Sequence, residues 1–104
     1  MATSVVSVVK TSPATVIEDY RRVMELAGWQ SHLTGERELL LKLNLSWTKY
    51  FPACSSQPWQ LEGVLKTLLD GGYTRDTVIP VENKTVVTNP VEGAKNNLWM
   101  PVLD

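Results

Sequence analysis

The chain opens on an apolar run. From Ser4 to Lys10, Val5, Val6, Val8 and Val9 surround Ser7, a near-continuous β-branched stretch that predicts a strand covered on both faces. Thr11-Ser12-Pro13 breaks the run, and the period then changes. Val16, Ile17, Tyr20, Val23, Met24 and Ala27 recur at helical intervals, with Glu18, Asp19, Arg21, Arg22 and Glu25 on the opposite, solvent face. Thr15 and Glu18 have the spacing of a capping box, Glu18 and Arg22 that of an ion pair one turn apart. Gly28 supplies the left-handed residue that ends this helix.

Between Glu38 and Asn44, Leu39, Leu40, Leu41 and Leu43 surround a single Lys42. Leucine suits a helix as well as a strand, and the short length of the run favours the strand. A long loop follows over 45–57, carrying Trp47, Lys49, Tyr50, Phe51, Pro52 and Cys54. Loops of that length in a compact domain usually bind something or cover something. A second helix opens at Ser56 or Gln57, with Pro58 in the first turn, where a missing amide costs nothing. Leu61, Val64, Leu65, Leu68 and Leu69 form its apolar stripe, and Gly71-Gly72 ends it. Gly63 sits inside that helix at a cost of about 1 kcal/mol relative to alanine, which predicts close packing against a neighbour. Thr77–Val81 reads as a third strand, and Pro80 places it at a sheet edge, a bulge or the strand's end. Thr85–Thr88 suggests one more short strand, and 89–104 an irregular tail.

Strands that alternate with helices pair in parallel through right-handed crossovers. The expected fold is therefore α/β: a small open, mainly parallel sheet with helices packed on it, like half of a Rossmann-type fold. Residues 1–104 make a single domain. With so few strands it reads as incomplete in a single chain, either part of something larger or a protomer whose sheet another chain completes.

Composition narrows the function classes. The chain is 43% hydrophobic and 20% charged, and its ten Lys and Arg against eleven Asp and Glu leave a net charge of −1. That balance argues against a dedicated nucleic-acid binder, whose affinity rests on neutralising phosphates. One cysteine permits no internal disulfide, and with one histidine it gives no zinc site, so no metal is expected. No apolar run approaches the roughly 20 residues of a membrane span. The charge at Lys10 follows the first apolar stretch, the reverse of a secretory signal, so a cytoplasmic protein is expected.

Ligands of open parallel sheets bind beyond the carboxyl ends of the strands. Lys42 and Asn44 stand two apart on a strand, on one face and roughly 7 Å from each other. An ammonium and a carboxamide there, near the start of a helix, could hold a carboxylate or phosphate. Equally, Lys42 could reach solvent and Asn44 could cap the turn. Glu82 and Asn83, with Lys84, add a carboxylate, an amide and a cation, or form a plain polar turn. Trp47, Lys49, Tyr50 and Cys54 are the candidate loop contacts, with Phe51 and Trp59 close in sequence. Such aromatic residues most often bury a loop or form an interface. A reactive Cys54 would need a base, and His32 belongs to the other end of the sheet.

Lys42-Leu43-Asn44-Leu45, a long loop, a helix, Gly71-Gly72-Tyr73 and Val78-Ile79-Pro80-Val81-Glu82-Asn83 resemble the opening portion of the domain of unknown function 362 family. Asn89-Pro90, Gly93–Asn97 and Trp99–Leu103 resemble its continuation; family members usually have proline where Leu43 stands. The resemblance spans nearly all of this chain and the front of a longer typical member. It implies an α/β fold and adds weight to Lys42, Asn44, Glu82 and Asn83. Some relatives carry an iron–sulfur module, for which this chain has no cysteine cluster. No cofactor and no reaction are assigned. One reading is a binding module for a small anionic ligand at Lys42, Asn44, Glu82 and Asn83. The other is a non-catalytic module that self-associates through its aromatic loop and tail.

Overall fold

The structure is a computed structural model that describes residues 3–104. Helix α1 (Val16–Leu26) leads through a 3-10 turn at Trp29–Ser31 to strand β1 (Leu39–Lys42). Helix α2 (Pro58–Asp70), strand β2 (Val78–Val81), helix α3 (Pro90–Asn96) and helix α4 (Met100–Leu103) follow. β1 and β2 pair in parallel, Leu39 with Val78 through Lys42 with Val81, and form a two-stranded sheet. The α/β class and the parallel pairing expected from the alternation of elements are therefore present.

Each helix end has a local cause. The Gln57 amide donates to Gln60 Oε1 at 2.8 Å and Pro58 follows, so α2 starts where its orphan donors are met. α1 stops because Gly28 takes a left-handed φ of 72°, which an L side chain resists. α1 and α2 lie together across Gly63, where an added Cβ would come 2.7 Å from the Tyr20 ring. The unfavourable glycine inside α2 thus lets the helices approach. Arg21 of α1 also pairs with Asp70 at the end of α2.

Several expectations are corrected. Residues 4–10 form no strand: the segment is exposed coil, tied to α1 by the Ser7 hydroxyl, which donates to Val23 O at 2.6 Å. Apolar content suited it to a strand, but no described strand lies beside it to supply the ladder. The Thr15–Glu18 capping box is absent: the Thr15 amide, which Glu18 would have accepted, donates to Ser12 O at 3.1 Å, and the Thr15 hydroxyl donates to Asp19 Oδ2 at 2.7 Å. Asp19, assigned to the solvent face, is buried beneath the Thr11 and Thr15 hydroxyls and pairs with Arg22 at 3.0 Å. Hydrogen bonds from Thr15 and Thr11 outweigh its desolvation and hold its carboxyl below the usual range. Glu18 pairs with Arg21 rather than Arg22. Thr85–Thr88 is a turn closed by Thr85 N–H to Thr88 O, not a strand.

The largest correction concerns 89–104, which is helical rather than irregular. Asn89 Oδ1 accepts the amides of Val91 and Glu92 and caps α3. Trp99, 1% exposed, then enters a core of Leu43, Leu45, Leu61 and Ala94. Its Nε1 donates to Ser56 O at 2.6 Å. A second cluster of Trp29, Leu68, Tyr73 and Val78 fills the other end, and Leu41 and Leu65 pack against both. No helix among the described residues is long and apolar enough to cross a membrane.

Replacing Gly63→Ala sets a gain of about 1 kcal/mol in helix propensity against an overpacking cost of about 1–3 kcal/mol. Because the obstructing atoms include Tyr20 Cβ, which cannot rotate away, the net effect is a loss. Urea unfolding should show a lower midpoint with an unchanged slope.

Candidate functional site

The parallel register brings the carboxyl ends of β1 and β2 side by side, so Lys42 and Glu82 meet. Lys42 Nζ donates to both carboxylate oxygens of Glu82 at 2.8 Å and to Leu43 O at 2.6 Å. Two backbone amides complete the cradle, Leu45 N–H to Oε2 at 2.9 Å and Asn83 N–H to Oε1 at 2.7 Å. The Lys42 side chain is 57% exposed, whereas that of Glu82 is 11% exposed. The chain's own carboxylate thus occupies a cluster of anion donors. Burial raises the Glu82 pKa, but the Lys42 hydrogen bond and charge and the Asn83 and Leu45 amides outweigh it, so the group titrates below its ordinary 4.5.

Asn44 lies just past the strand and closes the neck of the loop. Its amide donates to Ser56 Oγ at 3.0 Å, and its Nδ2 donates to Cys54 O at 2.9 Å and Ser46 Oγ at 3.2 Å. Ser46 N–H donates to Ser55 Oγ, and Ser56 N–H returns to Asn44 O at 2.9 Å. The segment after Asn44 is therefore an Ω-type loop with joined ends. Near its start, Thr48 binds three places. Its hydroxyl donates to Val87 O and accepts the Asn89 amide, and its carbonyl accepts Asn96 Nδ2 at 2.9 Å. Of the residues assigned from sequence, Lys42 and Glu82 come together, and Asn83 joins them through its backbone only. Asn44 serves the loop instead.

The loop is fixed at its neck and at Thr48, yet its large side chains remain in solvent. Trp47 is 49% exposed, Tyr50 50% and Phe51 46%. Trp47 and Phe51 meet edge to face with centroids 6.2 Å apart. Lys49 and Cys54 are also exposed. His32 precedes β1 while Cys54 lies beyond its far end. Among the described residues, no group of three or more His, Cys, Asp or Glu side chains could hold a metal ion.

Concave space is modest where the strands end. A cleft of about 210 Å³ beside Lys42 is lined by Tyr20, Leu43, Gln60 and Val64. A larger groove of about 650 Å³ lies on the other flank, between α2, β2 and α4, lined by Leu65, Leu69, Pro80 and Val102. Sequence reasoning missed Ser46, Ser55, Ser56, Thr48 and Asn96, which hold the loop. The signal available was the hydroxyl residues bracketing the aromatic run, a composition that favours side-chain bonds to backbone. No family model, no curated protein and no solved structure matches the chain.

The lowered Glu82 pKa has a definite sign. Its stabilisation is complete above the ordinary value of 4.5 and is lost as pH falls through the lower folded-state value. Unfolding free energy should therefore drop on acidification below that range. Glu82→Gln should cost about 1–2 kcal/mol near neutral pH, the charge-assisted part of these bonds, and should flatten the acid limb. Chemical denaturation across pH measures both.

Proposed function

We propose that the chain is a non-catalytic interaction module that self-associates through its aromatic loop. The observation carrying this reading is the half-exposed Trp47, Tyr50 and Phe51 on a loop anchored at its neck and at Thr48. Pre-ordered aromatic side chains lose little entropy on contact and bury large apolar area, which is why they anchor interfaces. Thr48 ties this loop to the segment of Val86, Val87 and Val91, all of them exposed, so apolar surface continues beyond the loop. Of the tail, Trp99 serves the core, while Val91 and Leu98 stand well exposed and add to the surface around the loop. A net charge of −1 opposes association of two copies only weakly.

The partial α/β domain is part of the same reading. Parallel sheets normally have both faces covered, and here Leu40 of β1 is 65% exposed. A second reading, a site for a small anionic ligand, draws support from the donor set itself. Lys42 Nζ and the Leu45 and Asn83 amides bind a carboxylate now, and would bind a free one if Glu82 turned away.

Sedimentation velocity over a wide concentration range tests the first reading. The wild type should show a monomer–dimer equilibrium, and Trp47→Ala and Phe51→Ala should each weaken it about tenfold or more while far-UV dichroism stays unchanged. A wild type that is monomeric at the highest concentration overturns the proposal. Phosphate or acetate titrations followed by NMR test the second reading, which predicts shifts at Leu45 and Asn83 that Lys42→Met abolishes.

A further inference from the structure

The two edges of the sheet are chemically unlike. Leu39 N–H donates to Thr77 O and Leu43 N–H to Val81 O, so the odd-numbered residues of β1 turn their polar groups toward β2. Leu40 and Lys42 then point theirs outward, and these amides and carbonyls have no backbone partner among the described residues. On β2 the outward positions are Val78 and Pro80. Val78 N–H is already given to Thr74 O at 3.3 Å, and Pro80 has no N–H. The β2 edge is sealed, as edge proline does in general, and the β1 edge is left to accept a strand.

The chain also carries a segment suited to that edge. Val5, Val6 and Val8 are 69%, 84% and 85% exposed, a β-branched run with no strand to join. Apart from Val9, which lines a cleft with Tyr20 and Trp59, Ser7 is its tie to the body. We infer that in a dimer the segment Val5–Lys10 of one copy pairs antiparallel with the outer edge of β1 in the other, and reciprocally. This inference rests on the reading of the chain as self-associating and adds a contact separate from the aromatic loop.

Charge and connectivity select this arrangement. With Val8 opposite the exposed Leu40, antiparallel pairing sets Lys10 opposite Glu38 and Val6 beside the Lys42 stem. Parallel pairing with the same Val8–Leu40 contact would set Lys10 against Lys42. Within one chain, α1 connects the segment to β1, and a strand–helix–strand crossover yields parallel strands. The antiparallel register is therefore supplied by a second copy. The twofold exchange is isologous and covers both open edges at once.

Disulfide trapping in a Cys54→Ser background tests this. Val8→Cys and Leu40→Cys proteins, mixed and mildly oxidised, should give a covalent dimer containing one of each, and neither protein alone should. Lys10→Cys mixed with Lys42→Cys, the parallel register, should give none. Lys10→Glu should weaken the wild-type dimer about threefold, and adding Glu38→Lys to the same chain should restore it. If the wild type sediments as a dimer but no mixed Val8–Leu40 disulfide forms, the strand exchange is overturned and the loop-mediated association stands. A disulfide formed only within single chains of a Val8→Cys/Leu40→Cys double variant also overturns it, by assigning the edge to the chain's own segment. A wild-type monomer overturns both.

Discussion

The burial of Trp99 holds this molecule together. Its ring closes the cluster of Leu43, Leu45, Leu61 and Ala94, and its indole N–H donates to the Ser56 carbonyl just ahead of α2. One side chain thus joins the end of β1, the neck of the loop, the start of α2 and the C-terminal helices. A buried tryptophan supplies large apolar area with one polar atom to satisfy, and here that atom is satisfied. Gly93 makes the docking of α3 feasible, since a Cβ there would come 2.6 Å from Leu45 Cδ2. Without this plug the two-stranded sheet would keep α1 and α2 and lose cover at its carboxyl end.

The same end of the sheet carries a polar clamp. Parallel pairing brings Lys42 and Glu82 together, and the Leu45 and Asn83 amides turn toward the carboxylate because the chain bends immediately after each strand. The arrangement spends its donors internally, which is why a cluster resembling an anion site also acts as a latch for strand ends and loop. Downstream of the latch, serine and threonine hydroxyls bond to backbone groups and keep the loop's shape without burying its aromatic side chains.

Much of the fold was legible because it is local. The α1 stripe, the Gly28 stop, the Pro58 start and the Gly71-Gly72 end depend on residues within a few positions of one another. Gly63 announced a close approach, though only the fold identified Tyr20 as the neighbour. Residues 4–10 misled, since valine content measures fitness for a pleated surface and says nothing about whether a partner strand lies alongside. Thr15 and Asp19 misled for a related reason: the capping-box spacing does not tell which nearby groups the Thr15 amide and hydroxyl meet, and these are Ser12 O and Asp19 Oδ2. The tail misled because α3 and α4 are short and Pro90 and Pro101 resemble breaks, although each lies in the first turn of a helix.

Local pattern was enough for the α/β class, the bounds of α1 and α2, the positions of β1 and β2, and Lys42 and Glu82 at the strand ends. Tertiary structure decided what those residues do. Lys42 was legible as a cation at a strand end, but its neutralisation by Glu82 depends on a register between segments far apart in the chain. Asn44 was legible as a polar strand-end residue, and only the path of the loop turned its carboxamide to Cys54 O. Periodicity and capping act over a few residues and are written in the order of the chain. Burial and charge pairing act through space, and the sheet and the Trp99 core create that proximity.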